Sequence, residues 1–461
     1  MSTVESITSH DPDVRRAYAG DASGIELVPE AVARPASVAE VAALVASAGA
    51  TGTPVTPAGG QSSTTAASIT DRGILLSLKG LDRILELDVD AATVRVEAGV
   101  GVARLKQAVA EHGLLFACDP TSEEEATIGG AIACNASGAR SLRYGAVRRH
   151  VVSLDVVLAN GEMLHVRRPH LEKNTVGYFP MQDPVDWFIG SEGTLGVVVS
   201  AELALLPLPE RVTGFGISFG DERSALQFVR AARDGMDRGT VRPRCLEFLD
   251  TVALDVVRLQ EGGAGWRGAA FVYLEEESAG GADPDFDAWL ALAAAHHAAD
   301  SDIQVFDSDT SIRTARRLRH AVPATMHERG ARFRAAGGRR VSTDWAVPYA
   351  RLEEAIDAAR NAVTRHGLEM PAIYGHAGNG HPHQNFIARS AAELATVHTA
   401  IAETLDVVLA MGGTVAAEHG VGKLKRHWVP LQMTPLQVNA MRALKHALDP
   451  AGLLAPGNVL P

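Results

Sequence analysis

The segment Gly375 to Asn385 reads GHAGNGHPHQN and constrains the fold more tightly than any other stretch of this 461-residue chain. Gly375, Gly378, Gly380 and Pro382 forbid a regular helix, so a strand entering a tight loop is expected. His376, His381 and His383 lie in that one segment. Neutral imidazoles are ligands for Zn, Mn or Fe, and two of them project the same way on a strand at i and i+2, or where a turn folds i and i+7 together. Glu418, in GGTVAAEHGVGK, offers a carboxylate to complete such a site, and His419 beside it offers a base. Loop histidines are ordinarily surface polar residues, and the chain has 17, so spacing alone leaves both readings open.

The length allows two or three domains with real cores, and 46% hydrophobic residues with a mean hydropathy of +0.03 mark a soluble, globular chain. Apolar runs are broken by Gly, Pro or charge well before the ~18 residues a membrane helix needs, and MSTVESITSHDPDVRR lacks the apolar core of a signal peptide. A cytoplasmic location is expected. A net charge of -12 argues against nucleic acid as partner. Cys118, Cys134 and Cys245 are odd in number and far apart, which fits a reducing compartment rather than a disulfide framework.

Residues 1–33 read as an irregular arm with one short helix. Ser37 and Glu40 form a capping box for a helix whose stripe is Val38, Val41, Leu44 and Val45 and whose end is Gly49. After the strand TPVTP comes AGGQSSTT, residues 58 to 65, where Gly59, Gly60 and the hydroxyls of Ser62, Ser63, Thr64 and Thr65 could cradle a pyrophosphate. No GxGxxG opens a helix, so a Rossmann site is not indicated. Strands ILLSL, RILELD and TVRVEAG follow, then a helix from Val102 to His112 closed by Gly113. In TIGGAIACNASGARSLRYG, the residues Gly129, Gly130, Ala131, Ala133, Ala136, Ser137, Gly138 and Ala139 present almost no bulk. A flat ligand could lie against such backbone, and two closely packed helices would leave the same trace. A hairpin turning at Asn160-Gly161 and the glycine-rich DWFIGSEGTLGVVVS complete this half. Beyond Pro209 the helices are longer and more charged, with nine arginines between Arg313 and Arg340.

These motifs together resemble the FAD-linked 2-hydroxy-acid dehydrogenases, a family that includes D-lactate and D-2-hydroxyglutarate dehydrogenases and the flavin subunit of glycolate oxidase, within the vanillyl-alcohol oxidase/p-cresol methylhydroxylase flavoprotein fold. The likeness runs from RPASVAEVAALV to LDPAGLLAPGNVLP. It implies an α+β fold with an FAD-binding domain at 34–208, a substrate cap domain at 209–415, and a segment at 416–461 that returns to the first domain, behind the 1–33 arm. It implies FAD contacts at Ala58, Gly59, Gly60, Gln61, Ser62, Ser63, Gly99, Pro120, Thr121, Thr127, Gly129, Gly130, Ala136, Ser137, Gly138, Gly193 and Val197. The Gly59 loop has no histidine where some fold relatives attach flavin covalently, so dissociable FAD is expected.

The resemblance also makes His376, His383 and Glu418 ligands of a divalent metal, zinc first with Mn or Fe as alternatives. It gives His419 the role of general base, Arg319 that of binding the substrate carboxylate, and Asn385 a substrate contact. The family's HxGDGNxH is here HAGNGHPH, with Asn379 for Asp and His381 for Asn, and Ser342 replaces a lysine that several relatives carry. The loss of that lysine leans away from a dicarboxylate substrate, although Arg339 or Arg340 could substitute. The implied activity is FAD-dependent, metal-assisted oxidation of a D-2-hydroxy acid, with hydride passing to flavin N5 and a quinone, cytochrome or electron-transfer flavoprotein as acceptor. A homodimer is the default oligomer. The residues leave open a fold relative acting on another alcohol, a non-redox flavin enzyme, and an electron-relaying flavin subunit.

Overall fold

The computed structural model describes residues 3–260, 262, 265–278 and 283–461. The chain divides into two units. One comprises residues 1–138, 145–208 and 418–461, and the other residues 139–144 and 209–417.

The first unit holds a four-stranded sheet in the order β1-β2-β4-β3, from Thr8–Ser9, Ala31–Ala33, Ile74–Ser77 and Val55–Ala58. The stretch before residue 34 thus contributes two strands and two short helices rather than an irregular arm, because the buried apolar triad of β2 pairs with β4. A five-stranded antiparallel sheet follows the order β5-β6-β10-β8-β9, from Ile84–Asp88, Thr93–Glu97, Val197–Ala204, Val151–Val157 and Met163–Arg167. A short pair joins β7, Leu114–Leu115, to β11, Leu206–Pro207. Helix α1, Val38–Thr51, begins where Ser37 accepts from Glu40 N. It runs past Gly49 to Gly52, whose φ of 69° is the left-handed turn that stops it. The last segment of the chain closes this unit, with Val55 N bonding Leu453 O at 2.9 Å and Ala455 N bonding Val55 O at 2.8 Å.

The second unit is built on a seven-stranded antiparallel sheet in the order β15-β12-β14-β13-β17-β18-β16. Its strands are β12 Arg211–Phe219, β13 Pro243–Leu249, β14 Ala270–Ser278, β15 Ile303–Phe306, β16 Arg339–Ser342, β17 Ala372–His376 and β18 His381–Ala388. Helices α2, Thr251–Arg258, and α3, Asp309–Ala331, bury Leu254, Val257, Leu318, Val322 and Met326 against Leu249, Tyr273 and Tyr374. No helix among the described residues is long and apolar enough to cross a membrane.

Candidate functional site

The glycine-rich histidine segment folds as a hairpin. β17 ends at His376, a single turn spans Ala377–Asn379, and Gly380, at φ 69°, delivers the chain into β18. A side chain at Gly380 would put its Cβ 1.9 Å from Val347 O, which only glycine avoids. His376 pairs with His381 and Tyr374 with His383, so alternation along β18 and register across the hairpin bring all three imidazoles to one sheet face. All three are buried, and each offers a nitrogen within 4.8 Å of the others'. This spacing suits a single cation.

Two rings are hydrogen-bonded to an oxygen through Nδ1: His376 Nδ1 lies 2.7 Å from Glu247 Oε1 and His383 Nδ1 3.3 Å from Thr343 O. His381 Nε2 lies 3.2 Å from Asp344 Oδ1 without hydrogen-bond geometry. For His376 and His383 the acceptors fix which nitrogen carries the proton and leave the other a lone pair, the arrangement that orients metal-bound histidines. The acceptors are themselves held. Thr343 N bonds Gln384 O and Gln384 N bonds Thr343 Oγ1, both at 3.0 Å, while Asp344 O accepts from Ala417 N at 2.8 Å. Burial alone would raise the Glu247 carboxyl, but the charges of His376 and Arg319 and their hydrogen bonds outweigh it and hold it at about 2.

Asn385, two residues beyond His383 on the same face, is fully buried. Its Nδ2 donates to Tyr374 Oη at 3.1 Å and its Oδ1 accepts from Arg340 Nε. Arg319, from α3, donates through Nε to Glu247 Oε2 at 2.8 Å and lies 5.4 Å from the Tyr374 ring centre.

In the first unit, the residues expected at FAD gather around glycine-lined backbone crossings. A Cβ at Gly59 would lie 2.1 Å from Thr127 Oγ1, one at Gly60 1.8 Å from Glu125 O, and one at Gly138 2.0 Å from Asp119 O. Gly129 N bonds Ala98 O at 2.8 Å and Gly99 N bonds Leu81 O at 2.7 Å. A Cβ at Gly193 would meet Pro57 Cγ at 2.4 Å. Gly59, Gly60, Gly129, Gly138 and Gly193 therefore sit where neighbouring atoms of the chain leave no room for a side chain. Two of the residues expected at FAD are committed locally. Gln61 Nε2 donates to Tyr18 O at 3.0 Å, and Ser63 Oγ accepts from Thr65 N and Ala67 N, each at 3.2 Å. Val197 is buried in the core. Pro120 O accepts from Glu123 N at 3.0 Å, and Ala136 O from Val147 N at 2.9 Å.

Glu418 and His419 also belong to this unit, with Glu418 Oε1 3.3 Å from His419 Nε2. Thr65 Oγ1 donates to the His419 carbonyl at 3.4 Å. Sequence reasoning did not single out Glu247 or Asp344, and it left His381 outside the ligand set. Alternation along HPHQN carries a signal for His381; nothing in RCLEFLD marks Glu247.

Residues 208–459 match the family model described as "FAD linked oxidases, C-terminal domain", and residues 29–167 match that described as "FAD binding domain". Among curated proteins, the chain is 29% identical over 453 residues to the glycolate oxidase subunit GlcD of Bacillus subtilis, covering 96% of this chain and 92% of the relative. It is 30% identical over 434 residues to a D-lactate dehydrogenase of Archaeoglobus fulgidus, covering 93% and 91%. Among solved structures, p-cresol methylhydroxylase with substrate bound shares the fold at a TM-score of 0.73 and 15% identity, over 99% of this chain and 94% of that one.

Proposed function

The chain belongs to the FAD-linked oxidases, and from that membership we propose that it oxidises a 2-hydroxy acid, of D configuration, to the 2-oxo acid. The observation that carries the proposal is the trio of buried imidazoles, each offering a nitrogen within 4.8 Å of its neighbours', with His376 and His383 each hydrogen-bonded to an oxygen through Nδ1. An alcohol proton is held far too tightly to leave at neutral pH unaided. When bound, a divalent metal, zinc first among Zn, Mn and Fe, supplies Lewis acidity at the substrate hydroxyl. When bound, FAD supplies the acceptor for the C2 hydride.

The protein's own groups do the rest. His376, His381 and His383 present lone pairs; Glu247 and the Thr343 carbonyl keep His376 and His383 aimed. The sequence motif EHGVG adds Glu418 as a carboxylate ligand and His419 as the base that takes the hydroxyl proton. Asn385 and the arginines beside Tyr374 orient the substrate carboxylate, Arg319 being the one assigned by the resemblance. The relatives' names support this substrate class, being a glycolate oxidase subunit and a D-lactate dehydrogenase. The electrons then pass to a separate carrier, for which a quinone, a cytochrome or an electron-transfer flavoprotein would serve.

The test is anaerobic bleaching of the FAD-loaded, metal-analysed protein by a panel of D- and L-2-hydroxy acids. Rapid bleaching by one enantiomer, abolished by chelator and restored by a divalent metal, is expected. No bleaching by any acid in metal-loaded samples would sink the reading.

A further inference from the structure

Aromatic side chains left in water forgo their largest contribution to a fold, yet the segment after β9 carries two of them side by side. Every residue from 169 to 181 is exposed. Tyr178 and Phe179, at 83% and 81%, are the only exposed Phe, Tyr or Trp side chains among the described residues. Val176 is 81% exposed, Leu171 69%, Met181 52% and Met163, at the start of β9, 48%. Apolar side chains scattered singly over a surface need no explanation, but a concentration of this kind marks an interaction site. The display is also held in shape. Val176 N donates to Asn174 Oδ1 at 3.0 Å, Gln182 Nε2 to Gly177 O at 3.1 Å, and Trp187 Nε1 to Pro180 O at 2.7 Å.

The strand that leads into this segment is open on one side. β9 is the outermost strand of its sheet and runs antiparallel to β8. Arg168 N bonds Val152 O and Leu158 N bonds Glu162 O, both at 2.9 Å, so alternate residues from Glu162 to Arg168 direct their backbone groups at β8. Met163, His165 and Arg167 turn theirs the other way, where no strand among the described residues meets them. Edge groups of this kind are a template for another strand. The exposed segment leaves and rejoins the end of β9, because Arg168 pairs with Asp183 and, at 2.7 Å, with Asp186.

Charge and area select the occupant. An apolar segment that enters a lipid surface is flanked by excess Lys and Arg, and a carrier protein steered by charge needs a field of one sign. Here the signs cancel. Arg167 is bound to Glu202 at 3.0 Å, His165 lies 2.8 Å from Asp155, and Glu172 adjoins Lys173. Such a rim complements itself, since Glu172 of one copy can meet Lys173 of another. At their exposures the six apolar side chains offer on the order of 700 Å², close to the ~800 Å² that each partner of a stable interface buries. We propose that residues 163–182 form a self-association surface, on which two copies of this chain meet about a two-fold axis, β9 against β9, and bury Tyr178 and Phe179. With the axis at His165, Met163 of each copy lies opposite Arg167 of the other, and two five-stranded sheets become one. The surface belongs wholly to the first unit and is independent of the hydroxy-acid reading.

The experiment is sedimentation equilibrium of the FAD-loaded full chain at about 1–50 μM, comparing wild type, Tyr178→Asp/Phe179→Asp and Met163→Pro. Wild type should show twice the 48.6 kDa mass of the chain. The double aspartate variant should raise the dissociation constant at least about a hundredfold, because it sets charges in the centre of the buried patch. Met163→Pro removes an N–H that β8 does not use, at the first residue of the strand, and should weaken the dimer about tenfold with FAD content unchanged. Hydrogen exchange on wild type needs no variant. The amides of Met163, His165 and Arg167 should exchange faster once the protein is diluted below its dissociation constant, while those of Leu164 and Val166 stay protected. A wild type that is monomeric at about 50 μM would overturn the proposal, as would variants that dimerise as tightly as wild type. Flotation with phosphatidylcholine/phosphatidylserine vesicles tests the rival occupant, and a monomer that floats through Tyr178 and Phe179 would overturn the proposal in favour of lipid.

Discussion

Two buried glutamates on neighbouring strands of the same sheet face, Glu247 and Glu275, solve one electrostatic problem with different partners. Glu247 on β13 faces Tyr273 on β14, and Glu275 lies two residues further along β14, opposite Cys245. Burial pushes each carboxyl upward, and facing cations overcome it to hold each at about 2. Glu275 is held by Arg140 at 3.0 Å, by Arg244 at 3.8 Å and by the Tyr273 hydroxyl at 3.0 Å. Those partners do not titrate in the working range. Arg140 comes from residues 139–144, so this cluster staples that short excursion of the chain into the second unit. Glu247 has one arginine, and its other partner is an imidazole. Equal burial and equal acidity therefore do not mark a functional carboxylate. What marks it is a partner whose second nitrogen is left with a lone pair.

The largest effect should come from removing a member of the imidazole trio. His383→Ala should release the metal and slow hydroxy-acid-driven flavin reduction by more than the ~10–100-fold that loss of an outer partner costs, with the melting temperature little changed. Full metal occupancy in that variant would remove His383 from the ligand set. Next come the paired substitutions Glu247→Gln and Glu275→Gln. Each strands a buried arginine and should destabilise the protein by about 3–5 kcal/mol in denaturant unfolding. Only Glu247→Gln should also weaken metal binding, by about 10–100-fold, because only it orients a ligand. Equal metal affinity in the two variants would erase the distinction between the clusters.

Acid titration isolates the structural half of the comparison. Glu275 has a folded value near 2 against an ordinary value of 4.5, so the unfolded chain takes up the proton first as pH falls. Its stabilisation is complete above about pH 4.5 and is lost progressively toward pH 2, of the order of 3 kcal/mol in all. Stability of Glu275→Gln should be correspondingly flatter over that window than that of wild type. Parallel curves would mean that Glu275 does not carry the linkage.

Much of this was legible in the sequence where local rules decide the structure. Gly375, Gly380 and Pro382 leave little but a strand and turn, and alternation then places His381 and His383 together. The small-residue runs around Gly59, Gly129 and Gly138 were legible for a similar reason, since chain crossings this close exclude a Cβ. The helix stop was misplaced from Gly52 to Gly49 because a glycine can sit within a helix; φ, not residue type, decides. Glu247 was illegible because it meets His376 across 129 positions, through a strand pairing that no local pattern specifies.

A third buried carboxylate, Glu192, sharpens the comparison, because its hydrogen-bond donors are backbone amides. Its oxygens accept from Val421 N at 2.6 Å and from Gly422 N at 2.8 and 3.0 Å, just beyond His419. Burial outweighs those donors and raises its carboxyl above the ordinary range. The loop it grips allows little slack. A Cβ at Gly420, φ 74°, would lie 2.5 Å from Glu192 Oε1, and one at Gly422, φ 52°, would lie 2.2 Å from Thr65 O. Thr65 O also accepts from Lys423 N at 3.0 Å, so the stretch after His419 is fixed from two sides. In Glu192→Gln one of the two oxygens becomes an NH2 group, which cannot accept, and Gly422 N loses the shorter of its two bonds, to Oε2, while Oε1 still accepts from Val421 N and Gly422 N. If His419 is the base, the loosened loop should slow flavin reduction by about tenfold while FAD and metal contents stay at wild-type levels. Rapid-mixing kinetics decide the point. An unchanged rate would show that the base does not depend on this grip, whereas a loss confined to the reduction step would place Glu192 with Glu247, as a carboxylate whose work is to aim a histidine.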